Sequence, residues 1–98
     1  MTEYQITSWH QIPSMVVARY GDDVAKVQLA ARFQEAIDEA AMRMGETDAD
    51  AYLAGWTKSP WLEIDGTPAD VASRIATELE SELTDDALIA ILDALNGA

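Results

Sequence analysis

Two hydrophobic periods divide this chain. Up to about residue 29 apolar and polar positions alternate, and from Ala30 onward apolar positions recur every three or four residues. Tyr4-Gln5-Ile6-Thr7-Ser8-Trp9 has strand composition, with Tyr4, Ile6 and Ser8 on one face. Gln11-Ile12-Pro13-Ser14 reads as a connection, because proline has no N–H to give to a central ladder. Met15–Tyr20 is a second strand, Gly21-Asp22-Asp23 a turn, and Val24–Leu29 a third strand. A meander of three antiparallel strands is the economical arrangement.

The helical half begins with Phe33, Ile37, Ala40, Ala41 and Met44 on one stripe, while Arg32, Glu35, Glu39 and Arg43 face away. Glu39 and Arg43 form an i,i+4 pair in the favourable orientation, and Gly45 stands where the helix ends. Asp48 caps a short second helix that runs through Tyr52 and Leu53 to about Trp56. Thr57-Lys58-Ser59-Pro60 breaks it. Trp61–Ile64 then reads as either a short fourth strand or an extended loop, followed by a turn at Asp65-Gly66. Thr67-Pro68-Ala69-Asp70 combines an N-cap, a proline at the first helical position and a first-turn acid. The third helix buries Val71, Ala72, Ile75, Ala76, Leu79 and Leu83. Thr84-Asp85-Asp86 opens a fourth, with Leu88, Ile91, Leu92 and Leu95 inward and Asn96-Gly97 closing it. The expected fold is α+β: a three-stranded antiparallel sheet, with Trp61–Ile64 as an optional fourth strand, packed with three to four helices. There is no repeat or linker, so residues 1–98 form a single domain.

Composition narrows the function. The 98 residues are 49% hydrophobic, enough for one modest core. Eighteen acids against six bases give a net charge of −12. Lys26, Lys58, Arg19, Arg32, Arg43 and Arg74 do not cluster in sequence, so nucleic acid and anionic membrane are not expected partners. No apolar run approaches a membrane span, and the N-terminus lacks a signal-peptide pattern, so the expected location is cytoplasmic. The lack of cysteine removes disulfides, thiolate metal sites and a thiol nucleophile together.

Little remains for catalysis. His10 is the only histidine, with no triad or zinc ligand set around it. Asp48-Ala49-Asp50 opens like a calcium loop, but Tyr52 and Ser59 stand where ligands are required. Glu78, Glu80 and Glu82 form a charge run that is either a solvated face or one awaiting a basic partner. The five glycines are scattered and build no phosphate loop. The aromatic residues stand out. Three tryptophans and three tyrosines gather in two stretches. They suit core packing, an interface or a flat-ligand pocket. The candidate interaction residues are Trp9, Tyr52, Trp56 and Trp61, with the Trp56–Trp61 segment the best exposed anchor.

Tyr4-Gln5-Ile6-Thr7, Trp9, Ile12-Pro13, the run Arg32-Phe33-Gln34-Glu35-Ala36-Ile37-Asp38-Glu39-Ala40-Ala41-Met42-Arg43 and Asp50-Ala51-Tyr52-Leu53 followed by Trp56 carry a resemblance. Together they resemble the small bacterial virulence factor domain family, from Tyr4 through the helix that begins at Thr67. The resemblance implies no catalytic residues. It implies an accessory role near folate- and corrinoid-dependent one-carbon enzymes. The expected function is therefore a non-catalytic adaptor that contacts a larger protein, without a cofactor, either as a monomer or as a homodimer. The alternative is a small-molecule binder that stacks a pterin-like or other flat cofactor on its indoles. A His10-dependent enzyme is the remotest reading.

Overall fold

The computed structural model describes residues 1–45 and 48–96, with side chains followed to residue 94. Strands β1 (Thr2–Trp9), β2 (Ile12–Tyr20) and β3 (Asp23–Gln28) lead into helices α1 (Ala31–Met44) and α2 (Ala49–Ala54). Two short strands follow, β4 (Trp56–Lys58) and β5 (Leu62–Ile64), and then α3 (Pro68–Glu82) and α4 (Asp85–Asn96). The architecture is α+β, with an antiparallel sheet of five strands instead of three or four. Its order is β3-β2-β1-β4, and β5 pairs with β1 beyond β4. The expected inward side chain of Leu95 and helix end at Gly97 lie outside the described residues.

The meander forms as alternation dictates, but two departures from local preference depend on pairing with β1. Pro13 lies inside β2 and not in a connection. Pro13 pairs with Ser8 while Met15 pairs with Thr7, so Ser14 is an extra residue in the ladder. A bulge is a position that tolerates proline's missing donor. The freed Ser14 carbonyl accepts from Leu29 N at 2.9 Å. Trp56–Lys58, expected as helix end and breaker, is a strand because it finds β1: Trp56, Thr57 and Lys58 pair with Trp9, Ser8 and Thr7.

The covered face of the sheet carries Val16 and Ala18 of β2, both fully buried. Their register partners Ile6, Tyr4, Val27 and Ala25 are partly buried against the same core. Across this face lies α3, which contributes Val71, Ala72, Ile75 and Ala76. This is the stripe its sequence predicts. Thr67 caps it, accepting from Asp70 N at 3.2 Å, with Pro68 in the first turn. Helix α1 buries Phe33, Ala36, Ile37, Ala40 and Ala41 and packs on α4, whose Leu88 and Leu92 are buried.

The charged helix ends are cross-linked. Arg32, expected to face away, is half-buried and donates to the Leu83 and Glu80 carbonyls at the end of α3, the latter at 2.7 Å. In return the Glu80 carboxylate accepts from Ala30 N at 2.7 Å, just before α1. Helix α1 has no other side-chain cap, and its first turn holds no acid. Glu80 therefore belongs to a reciprocal clamp, whereas its neighbours Glu78 and Glu82 are exposed. Arg43 meets Glu39 at 2.9 Å and Asp93 of α4 at 3.4 Å, and these contacts hold its guanidinium pKa above the ordinary value. Replacing Glu80→Ala removes the acceptor at Ala30. The expected cost is about 1 kcal/mol, the usual worth of a helix cap, read as a shift in urea midpoint at unchanged slope.

Candidate functional site

The other face of the sheet turns away from α3. Strand alternation and register place three rows of side chains on it. Gln28, Met15, Thr7 and Lys58 form the first, and Lys26, Val17 and Gln5 the second. Val24, Arg19, Glu3 and Glu63 form the third. The apolar members, Met15, Val17 and Val24, do not pack against the core. Met15 and Val17 are half-buried, and Val24 is 53% exposed.

Trp61 completes this surface. Between Lys58 and Leu62 the edge takes four steps while β1 takes three, from Thr7 to Tyr4, so one extra residue is accommodated. Ser59 pins the bulge: it donates its N–H to the Ile6 carbonyl at 2.9 Å, and its hydroxyl accepts from Ile6 N at 2.9 Å. Gln5 Nε2 donates to the Ser59 carbonyl at 3.0 Å. Trp61, in neither short strand, reaches Arg19 of β2, whose guanidinium carbon stands 3.7 Å from the ring centroid. Arg19 also pairs with Glu3 across the ladder at 3.4 Å. A half-buried indole thus lies against a cation on a sheet surface whose apolar ground is Met15, Val17 and Val24.

Charge is segregated to match. The surface carries Arg19, Lys26 and Lys58, half of the six cations, but only Glu3 and Glu63 of the eighteen acids. The three remaining arginines are engaged on the helices: Arg32 and Arg43 as above, and Arg74 donating to the Asp65 carbonyl at 3.0 Å. Among the described residues Lys26 and Lys58 form no ion pair. Thr7 Oγ1, in the first row, is buried without a hydrogen-bond partner among the described residues.

The four aromatic candidates separate. Trp9 is 0% exposed; its indole N–H donates to the Tyr52 carbonyl at 2.7 Å, so this ring belongs to the core. Gly55 exists for its sake, since a Cβ there would stand 2.5 Å from Trp9 Nε1. Tyr52 and Trp56 are half-buried around Trp9, with ring centroids 5.7 Å from Trp9 to Tyr52 and 6.0 Å from Tyr52 to Trp56. Trp61 is the one candidate laid on the uncovered face. Sequence reasoning did not single out Arg19, Lys26, Lys58, Met15 and Val17 as its companions. The signal was present in the odd-numbered positions of β2 and even-numbered ones of β3, but joining them requires the register.

His10 occupies the β1–β2 turn at φ 52, edge-on to Trp9 with ring centroids 4.3 Å apart. It borders a cleft of about 280 Å³ with Gln11, Ile12, Ala40 and Ile91, which contribute no carboxylate or hydroxyl. Among the described residues no three His, Asp or Glu side chains converge as metal ligands. Asp48 serves as the expected cap of α2, accepting from Ala51 N at 2.8 Å. Among the described residues no helix is long and apolar enough to cross a membrane.

The division between core and surface indoles is measurable. Trp9→Ala should cost about 3–5 kcal/mol, the range for a fully buried large aromatic. Trp61→Ala should cost about 1 kcal/mol or less, as expected for a partly exposed cation–π contact. Urea denaturation of both variants would separate them.

No curated protein and no solved structure matches the chain. A family model described as virulence factor matches residues 7–92, spanning β1 to α4. The chain belongs to the virulence factor family.

Proposed function

We propose that this domain is a non-catalytic accessory protein whose uncovered sheet face docks onto a larger protein. The observation that carries this reading is the Trp61 indole laid against Arg19 on a surface where, among the described residues, Lys26 and Lys58 have no ion pair. Aromatic and arginine side chains supply most interface anchors; the rings bury large area with little loss of rotamer freedom, and the guanidinium offers a fixed planar fork of donors. Half-buried Met15 and Val17 provide apolar ground around them. The partner's contact patch would be acidic. The cations attract it while the acidic helices turn it away from every other side, which orients the encounter.

A pocket that stacks a flat cofactor is the weaker reading, since four clefts among the described residues are lined without a tryptophan. The placement beside folate- or corrinoid-dependent one-carbon enzymes rests on the family resemblance, and those enzymes are the first partners to try. The tagged protein drawn from native lysate should bring down one protein in comparable amount. Trp61→Ala should weaken that association at least tenfold, consistent with loss of a central anchor, and Lys26→Glu with Lys58→Glu should slow its formation. Capture that is indifferent to all three substitutions would defeat the reading.

A further inference from the structure

We infer that the uncovered sheet face also pairs two copies of this chain, about a two-fold axis parallel to the strands between β1 and β2. This inference does not rest on the accessory role; it follows from charge and register alone.

Two copies that each carry −12 repel one another over most of their surfaces. The sheet face is where that repulsion is smallest, because cations there outnumber acids. Pairing through it also directs the acidic helical layers outward, away from each other. Of the occupants this face could take, a second copy meets a pattern already complementary to it.

The register shows the complementarity. A two-fold along the strands keeps each row opposite itself and reverses the strand order, so that β2 lies over β1 of the second copy. Arg19 then opposes the second copy's Glu3, Val17 its Gln5 and Met15 its Thr7. Because Arg19 and Glu3 already pair within each chain, the two pairs meet as a quartet of alternating sign. At the flanks Lys58 faces Gln28 and Val24 faces Glu63, and no like charges oppose. The other simple axis, across the strands, would set Lys26 against its own copy. Twisted sheets stack at about −30°, which shifts the outer strands but leaves β1 and β2, nearest the axis, in opposition.

The size of the face sets the strength. Four strands at about 4.8 Å spacing and some 20 Å long give a footprint near 400 Å². With side-chain relief, two such faces approach the roughly 1,000 Å² at which specific interfaces begin. The pair is therefore weak and concentration-dependent.

Sedimentation equilibrium of the full chain, from about 10 µM to 1 mM (the range of weak association), should show the mass rising from 10.7 kDa toward twice that value. Val17→Glu should abolish the rise while leaving the circular dichroism spectrum unchanged. The decisive pair is Arg19→Glu and Glu3→Arg. Each alone sets like charges across the axis and should remain monomeric. Mixed, they restore opposite charges at both positions and should form a heterodimer that weakens with salt. A chain that remains monomeric to 1 mM overturns the inference and leaves the face to a different protein. So does a dimer that survives Val17→Glu, or a mixture that gives no heterodimer. If Val17→Glu fails to fold, Lys26→Glu with Lys58→Glu, both at exposed positions, should weaken the wild-type association about tenfold or more, because they make the face itself acidic on a chain that already repels its copy; no weakening overturns it.

Discussion

The extra residue between Lys58 and Leu62 decides what the sheet presents. Without it β4 and β5 would be one regular edge strand, and the residue opposite Gln5 would obey simple alternation. With it, Ser59 turns inward to satisfy the Ile6 backbone from both its N–H and its hydroxyl, and Trp61 is released from the ladder. The same device protects the edge. A broken strand carrying Pro60 offers no continuous row of unpaired backbone groups to a stray chain. Stability of the edge and display of the indole therefore come from one irregularity.

The distribution of arginine follows a second constraint. Four helices in an acidic chain leave C-terminal carbonyls to be satisfied by few cations. Arg32 answers the end of α3, and Arg43 ties α1 to α4 through Glu39 and Asp93. Those arginines are committed to holding helices in place and cannot also serve as a docking charge. What remains for recognition is Arg19, Lys26 and Lys58, all on strands whose register brings them to one side. Scattered in sequence, they are gathered by pairing.

That gathering marks the limit of what the sequence discloses. The three long strands, the α3 stripe and its Thr67-Pro68 start are local patterns with a period and a cap, and they stand in the structure. Pro13 within β2 and the strand at Trp56–Lys58 run against local preference and form only because β1 supplies a partner more than forty residues away in the second case. Glu80 reads as one member of an acidic run until Ala30 is brought beside it. Trp9 and Trp61 are the same residue type in similar surroundings, yet one is sealed by Gly55 and the other laid on Arg19. Locally only the Thr57–Pro60 breakers set Trp61 apart, and they do not tell which ring is sealed. The difference belongs to the fold.

Self-pairing and partner docking would use the same face, so they exclude one another, and their relative strength fixes how the domain behaves. A weak pair is mostly dissociated below its own dissociation constant, so it subtracts little from the affinity for a second protein at low concentration. At high concentration it covers Met15, Val17 and Trp61, apolar groups that would otherwise remain open to unselective contact. A face of this size has too little area to hold a permanent dimer, yet enough anchored aromatic surface for a larger partner to displace the second copy. The quartet of Arg19 and Glu3 then distinguishes the two states. In the pair Arg19 meets the second copy's Glu3 while Lys26 and Lys58 gain no acid, whereas a heterologous partner can bring acids of its own to meet those two lysines.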